Sequence, residues 1–364
     1  MKFNKLELSE KFGQMILLGL DVYEINDEII DIIKTYKIGG IVLYKKNYTS
    51  IESMKDVINK LKKINSVNKI PLFISIDQEN GRVNRLPKEI HRIYSANKQA
   101  RSKDLNIIND CNELTSYLLR SVGVNMNFAP TLDIVRNKKN KVIGNRSYGS
   151  ALEDVMEYGI PYMKTLQKYN IVSVVKHFPG HGATNKDSHF MLPKIQNIQR
   201  LELEDIKVFE AAIKNQVDAI MVEHLLVKDY GFTPVSLNKK FIDKYLRNKL
   251  NFKGVIVTDD LRMSSLKNVY GLKRSVKKSI DAGCNMLIIK YKKGDFKRLY
   301  KKLFDMVKYC EIDPELINLS SKKVLSLKDK YNITDELINS TIDIKRINKK
   351  IDELNNMIDK KILL

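Results

Sequence analysis

The segment Gly254-Val255-Ile256-Val257-Thr258-Asp259-Asp260 is an apolar, β-branched run that stops abruptly on two carboxylates. Its composition suits a strand buried on both faces, as in a parallel sheet. Runs of the same kind recur on either side: Gln14 to Leu20, Ile38 to Tyr44, Pro71 to Asp77, Val124 to Pro130, Ile171 to Phe178, Val217 to His224 and Cys284 to Lys290. Most lack strict in/out alternation, and helical periodicity fills the stretches between them. Leu203, Ile206, Phe209 and Ile213 share one predicted helix face, as do Phe296, Leu299, Tyr300, Leu303 and Val307. Eight strand–helix units over roughly 300 residues predict an α/β fold closed as a (β/α)8 TIM barrel. An open doubly wound sheet is the alternative, but no GxGxxG follows any run. Pro161 falls inside a helical stretch and predicts a kink.

The bounds agree with one large domain. The 364 residues are 43% hydrophobic, well above a disordered chain, and 8 prolines and 16 glycines form no interdomain hinge. Residues 1–335 are therefore read as one catalytic barrel domain. Past about Asp335 the pattern changes: Ile344, Ile347, Ile351, Leu354 and Ile358 mark an apolar stripe on a C-terminal helical extension, 336–364. Packing of this helix on the barrel wall is favoured over a dimerising coiled coil, so a monomer is expected. Three scattered cysteines, Cys111, Cys284 and Cys310, make neither a disulfide framework nor a CxxC pair. The N-terminus lacks the apolar core of a signal peptide, and no apolar run could span a bilayer. These features predict a cytoplasmic protein with no membrane span.

The net charge of +21 invites a nucleic-acid partner. The lysines are scattered, however, as at Lys62-Lys63, Lys239-Lys240 and Lys301-Lys302, with no interleaved aromatic platforms. The expected reading is a solvated surface and no specific nucleic-acid partner.

In a barrel of this kind, reactive residues sit at the C-terminal strand ends. Those ends carry Asp77, Lys176-His177, Glu223-His224, Asp259-Asp260 and Lys290. Charged and imidazole groups converging on one rim suit a polar, hydroxyl-rich substrate. The densest signal is the run Lys176-His177-Phe178-Pro179-Gly180-His181-Gly182-Ala183-Thr184-Asn185-Lys186-Asp187-Ser188-His189. Pro179, Gly180 and Gly182 make it a shaped loop rather than a helix. His177 and His181 have zinc-ligand spacing only on a helix, and the Glu of HExxH is absent, so no metal and no cofactor is expected. His181 reads equally as a backbone bridge or a direct participant. Asp187 can fix the tautomer of His189, which could then give and take a proton near neutral pH. Asp259 can attack an anomeric carbon or cap a following helix; Asp260 could take the capping role instead.

These blocks resemble glycoside hydrolase family 3, in its β-N-acetylhexosaminidase branch. Lys176 to Gly182 with Asp187-Ser188-His189 is similar to that branch's KHFPGHG…DSH signature. Asp77-Gln78-Glu79-Asn80-Gly81-Arg82-Val83-Asn84-Arg85-Leu86 looks like its DxEGGRVxR segment. Asn127 to Asp133 matches FAPxxD, Ile143 to Tyr148 matches IGxRS(F/Y), and Thr258-Asp259-Asp260-Leu261-Arg262-Met263 matches (S/T)DxLxM. The blocks keep the family's order over roughly residues 10 to 330.

The resemblance implies a retaining exo-β-N-acetylglucosaminidase working through a covalent glycosyl-enzyme. Asp259 corresponds to the nucleophile, His189 to the general acid/base and Asp187 to its dyad partner. Asp77, Arg85, Arg146, Lys176 and His177 correspond to positions that bind the N-acetylglucosamine unit. The implied substrates are carbohydrates, with peptidoglycan-derived cell-wall fragments and their recycling the expected context. A phosphorylase on the same scaffold and a non-catalytic basic binding protein are the alternatives. Two departures stand out. Asn80 replaces the first Gly of the EGG step, which requires an unusual φ that Asn tolerates. Glu223 before His224 is bulkier than the small residue expected, and His224 is left out of the expected site.

Overall fold

The computed structural model describes residues 6–137, 140–184 and 192–364. Eight parallel strands follow the eight runs: β1 Ile16–Gly19, β2 Gly40–Val42, β3 Phe73–Ile76, β4 Met126–Asn127, β5 Val172–Phe178, β6 Ala219–Val222, β7 Val255–Thr258 and β8 Leu287–Lys290. They pair in chain order and β8 returns to β1, with Ile16 opposite Leu287. A bridge between Val257 and Met286 joins β7 to the approach of β8 and closes the barrel. The TIM barrel expected from the sequence is what the chain forms.

Strand geometry explains why the runs are apolar throughout. Val172 and Val174, Val255 and Val257, and Leu17 and Ile288 point into the barrel, where they pack with Phe73, Met126 and Phe128. Their neighbours Val175, Ile256, Leu18 and Ile289 join the larger core under the surrounding helices. Alternate residues face two different apolar environments, so neither parity can be polar.

The helix faces hold with one exception. Phe296, Leu299, Tyr300, Leu303 and Val307 are all buried, as are Ile206 and Phe209. Leu203 is 60% exposed. Residues Leu201–Asp205 wind as a π-helix, and its wider turn carries Leu203 off the face that a regular 3.6-residue period assigns it. The first run also begins two residues early, since Gln14 ends the helix Leu8–Gln14. The helix Leu152–Lys168 contains Pro161 in its interior.

The C-terminal part closes the barrel from below and then wraps its side. The helix Pro314–Lys330 and the residues after it send Val324, Leu327, Tyr331 and Ile333 into the barrel-interior cluster. The chain then straps the helix Ile51–Asn65: Asp335 accepts from Asn65 at 2.6 Å and from the Leu72 N–H at 3.1 Å, and Lys55 donates to the Ser340 carbonyl at 2.9 Å. The last helix, Ile344–Leu363, buries Ile347, Ile351, Leu354 and Ile358 in the same core as the barrel helices. Its stripe is thus covered by the chain itself. No helix among the described residues is long and apolar enough to cross a membrane.

Candidate active site

A cavity of about 250 Å³ opens at the C-terminal end of the barrel, lined by Asp77, Glu79, Arg85, Arg146, Lys176, His177, His181, Glu223, Asp259 and Lys290 among others. The structure therefore brings together six of the residues singled out in the sequence: Asp77, Arg85, Arg146, Lys176, His177 and Asp259. Asp187 and His189 lie outside the described residues.

Lys176 and His177 are consecutive, yet both reach the cavity, which simple strand alternation would forbid. Register explains it. Val175 pairs with Ile220 and Phe178 with Val222, so β5 spends one extra residue against β6, a bulge centred on this pair. On β3 the turn after Ile76 needs tight backbone: Asn80 has φ of 69° and Gly81 of 58°, and a Cβ on Gly81 would lie 2.5 Å from that of Ser95. Asn80 thus adopts the left-handed conformation expected of it.

At the floor, charges are paired and buried. Lys176 Nζ lies 2.8 Å from Asp77 Oδ1 and 2.5 Å from Glu79 Oε1. Arg146 grips Glu79 with two nitrogens, Nε to Oε2 at 2.7 Å and Nη2 to Oε1 at 2.8 Å. Burial pushes the Glu79 carboxyl up, but the Arg146 and Lys176 charges outweigh it and hold the group far below the ordinary carboxylate range. Arg85 Nη2 stands 3.7 Å from Asp77 Oδ2.

Asp133, not singled out as a site residue beforehand, organises the loop after β5. Its Oδ2 accepts from His177 Nδ1 at 2.7 Å and its Oδ1 from the His181 N–H at 2.6 Å. That contact places the His177 proton on Nδ1 and leaves Nε2, 3.3 Å from Arg146 Nη2, as an acceptor. His181 bridges the loop, with its ring Nδ1 2.8 Å from Thr184 Oγ1 and its carbonyl accepting from Asn140. Burial above all lowers its imidazole to about 4, so it is neutral near pH 7. Of its two readings, the backbone bridge is met by these contacts, and the ring also borders the cavity.

Asp259 leaves β7 with one oxygen accepting from the Asp260 N–H at 2.6 Å. Burial pushes its carboxyl up, but His224, His177, that N–H and Lys176 together hold it below its ordinary 3.8. It is an ionised carboxylate facing the cavity. Asp260 does not cap a helix. Its Oδ1 takes the Arg262 N–H at 3.0 Å and the Lys290 N–H at 3.3 Å, pinning the turn to β8. His224 fixes the same turn, with Nε2 3.1 Å from the Asp260 carbonyl and Nδ1 2.7 Å from Ser236 Oγ.

Among the described residues, one trio could hold a metal ion: His177, Glu223 and Asp259 bring ligand atoms within 4.8 Å of one another. The Arg146 guanidinium against His177 Nε2 opposes a cation there. Burial, and then the charge of Asp259, drive the Glu223 carboxyl well above its usual range, so it holds its proton.

Glu79 and Asp133 were the residues hardest to foresee. Both lie in the quoted motifs, two residues after Asp77 and three after Pro130, but their partners come from elsewhere in the chain: Lys176 and His177 from β5, and Arg146 from the turn Gly144–Arg146. The available signal was a carboxylate inside a strand-end motif, the second one in the case of Glu79 and the closing residue in the case of Asp133.

A parallel barrel with an ionised carboxylate at its rim, beside paired cations and carboxylates in a one-sugar cavity, defines a carbohydrate-active hydrolase. The family model "Glycosyl hydrolase family 3 N terminal domain" matches residues 7–327. A β-hexosaminidase of Psychromonas ingrahamii is 30% identical over 75% of this chain and 81% of its own length. One from Vibrio cholerae serotype O1 is 31% identical over 75% and 82%. A family 3 β-N-acetylglucosaminidase structure from Paenibacillus sp. str. FPU-7 superposes with a TM-score of 0.90 at 30% identity, covering 96% of this chain and 68% of that one. The chain belongs to glycosyl hydrolase family 3, and it is a glycoside hydrolase.

Proposed function

We propose that this glycoside hydrolase is a retaining exo-β-N-acetylglucosaminidase in which Asp259 forms the glycosyl-enzyme. The observation that carries the reading is the position of Asp259, ionised at the end of β7, in one small cavity with Asp77, Arg85, Arg146, Lys176 and His177. The names of the similar β-hexosaminidases support the choice of sugar. In the first step an Asp259 oxygen bonds to the anomeric carbon as the glycosidic C–O bond breaks, and His189, with Asp187 as its proposed dyad partner, protonates the departing oxygen. In the second, water attacks that carbon, His189 takes its proton, and Asp259 leaves as a carboxylate. Asp77 accepts from sugar hydroxyls while Arg85, Arg146 and Lys176 donate to them, with His177 set by Asp133. A cavity of about 250 Å³ suits one terminal sugar, which makes the cleavage exo.

Peptidoglycan-derived fragments are the proposed natural substrate, cleaved in the cytoplasm by a monomer made of the barrel, 1–335, and its helical extension, 336–364. Free thiols at Cys111, Cys284 and Cys310 support a reducing compartment, and the self-covered C-terminal stripe supports a monomer. Phosphorolysis is not favoured, since the similar curated proteins named above are β-hexosaminidases.

The test is Asp259→Ala and His189→Ala on an aryl β-N-acetylglucosaminide, with and without phosphate. Both variants should fold and lose on the order of 10²-fold or more in kcat, and the wild type should release free sugar, not sugar 1-phosphate. Near-normal turnover in either variant would remove that residue from the mechanism.

A further inference from the structure

We propose that Glu223 reads the substituent on C2 of the bound sugar, pairing its carboxyl group with an acetamido group. The inference rests on the glycosidase reading above and adds the residue that selects the substrate.

Geometry comes first. β6 and β7 are neighbours in register, with Val222 opposite Thr258, so Glu223 and Asp259 leave the sheet side by side. Their carboxyl oxygens and a His177 ring nitrogen all lie within 4.8 Å of one another. A sugar placed for attack has its anomeric carbon on Asp259. That carbon has two ring neighbours, the ring oxygen and C2, and only C2 carries a substituent. The C2 group is therefore the substituent next to the reacting carbon that a side chain adjoining Asp259 can contact. The same side-by-side placement argues against Glu223 as the acid for the leaving oxygen, which departs on the face opposite the nucleophile.

The chemistry of the side chain follows. Glu223 is 2% exposed, and one oxygen accepts from the His224 N–H at 2.7 Å. The groups facing it are Asp259, Asp133, Arg146, His177 and His224. With Asp259 ionised beside it, a second anion is disfavoured, and Glu223 carries a proton. A neutral carboxyl offers one O–H donor and a carbonyl acceptor side by side. An acetamido group offers the complement, a C=O acceptor and an N–H donor. A bare 2-hydroxyl offers no such two-point match, and buried polar groups left unpaired penalise the wrong sugar. A smaller residue at this position would leave that function to others.

The experiment compares kcat/KM for an aryl β-N-acetylglucosaminide and the matching aryl β-glucoside, with inhibition by free N-acetylglucosamine as a binding readout. In Glu223→Ala the N-acetylglucosaminide should lose about tenfold or more while the glucoside changes less than about threefold. Inhibition by N-acetylglucosamine should weaken in parallel. Glu223→Gln, which keeps one donor and one acceptor, should stay within about threefold of wild type. An unchanged preference in Glu223→Ala would overturn the inference. So would equal loss on both sugars, or rescue of Glu223→Ala by azide, which would mark a catalytic acid. If the wild type does not cleave the N-acetylglucosaminide at all, the glycosidase reading falls and not this assignment alone.

Discussion

Glu79 joins two cations in the floor of the cavity, Lys176 at 2.5 Å and Arg146 through two bonds; without it Lys176 keeps only Asp77, and Arg146 loses its carboxylate partner. Removing one member of a buried ion pair leaves an uncompensated charge, at a cost of about 3–5 kcal/mol. Glu79→Gln should therefore lower unfolding stability by about 3 kcal/mol in urea titration, and should raise KM because Lys176 and Arg146 lose their anchor. A midpoint equal to wild type would mean the floor is not held by this carboxylate. The metal trio makes a second residue-scale prediction. EDTA treatment should leave turnover unchanged; loss of activity restored by a divalent cation would assign the trio to catalysis. Asp259 was legible because a carboxylate ended an apolar run. The partners of Glu79 and Asp133 were not, because pairing between β3, β4 and β5 brings together residues far apart in the chain.

Elements decide what those residues can do. The period of the apolar runs was enough to place all eight strands, since burial on both faces is written directly in composition. The bulge in β5 and the π-helical turn at Leu201–Asp205 were hidden, because each adds a residue that no local composition announces. On the helix Pro314–Lys330, Lys328 is fully buried, donating to Gln14 Oε1 at 2.7 Å and the Pro71 carbonyl at 2.6 Å. Two acceptors suit a neutral amine, and burial lowers its pKa from 10.5 to about 7. The unfolded chain then binds the extra proton between those values, so stability should rise as pH increases from about 7 towards 10.5. Lys328→Met should flatten that rise in denaturation midpoints measured across this range. An unchanged slope would contradict the buried neutral amine. For the last helix, Ile351→Ala should cost about 2–5 kcal/mol in one cooperative transition. A separate early transition for residues 344–363, with the barrel unaffected, would make the extension an independent unit.

The whole molecule carries +21 without a concentrated basic arm, and many lysines pair locally, as Lys214 does with Glu210 and Lys277 with Asp281. Turnover of an uncharged aryl glycoside should change less than about twofold from about 50 to 200 mM salt, a range over which charge-driven nucleic-acid binding falls about 10³–10⁵-fold. Barrel closure and rim chemistry both point to one sugar-sized cavity with a single attacking carboxylate. The most direct measurement is mass spectrometry after reaction with an activated fluorinated β-N-acetylglucosaminide that traps the glycosyl-enzyme. One sugar per chain, mapped to the peptide containing Asp259 and absent in Asp259→Ala, is the expected result. A label on Glu223 or elsewhere, or no adduct with release of the inverted anomer, would contradict the account.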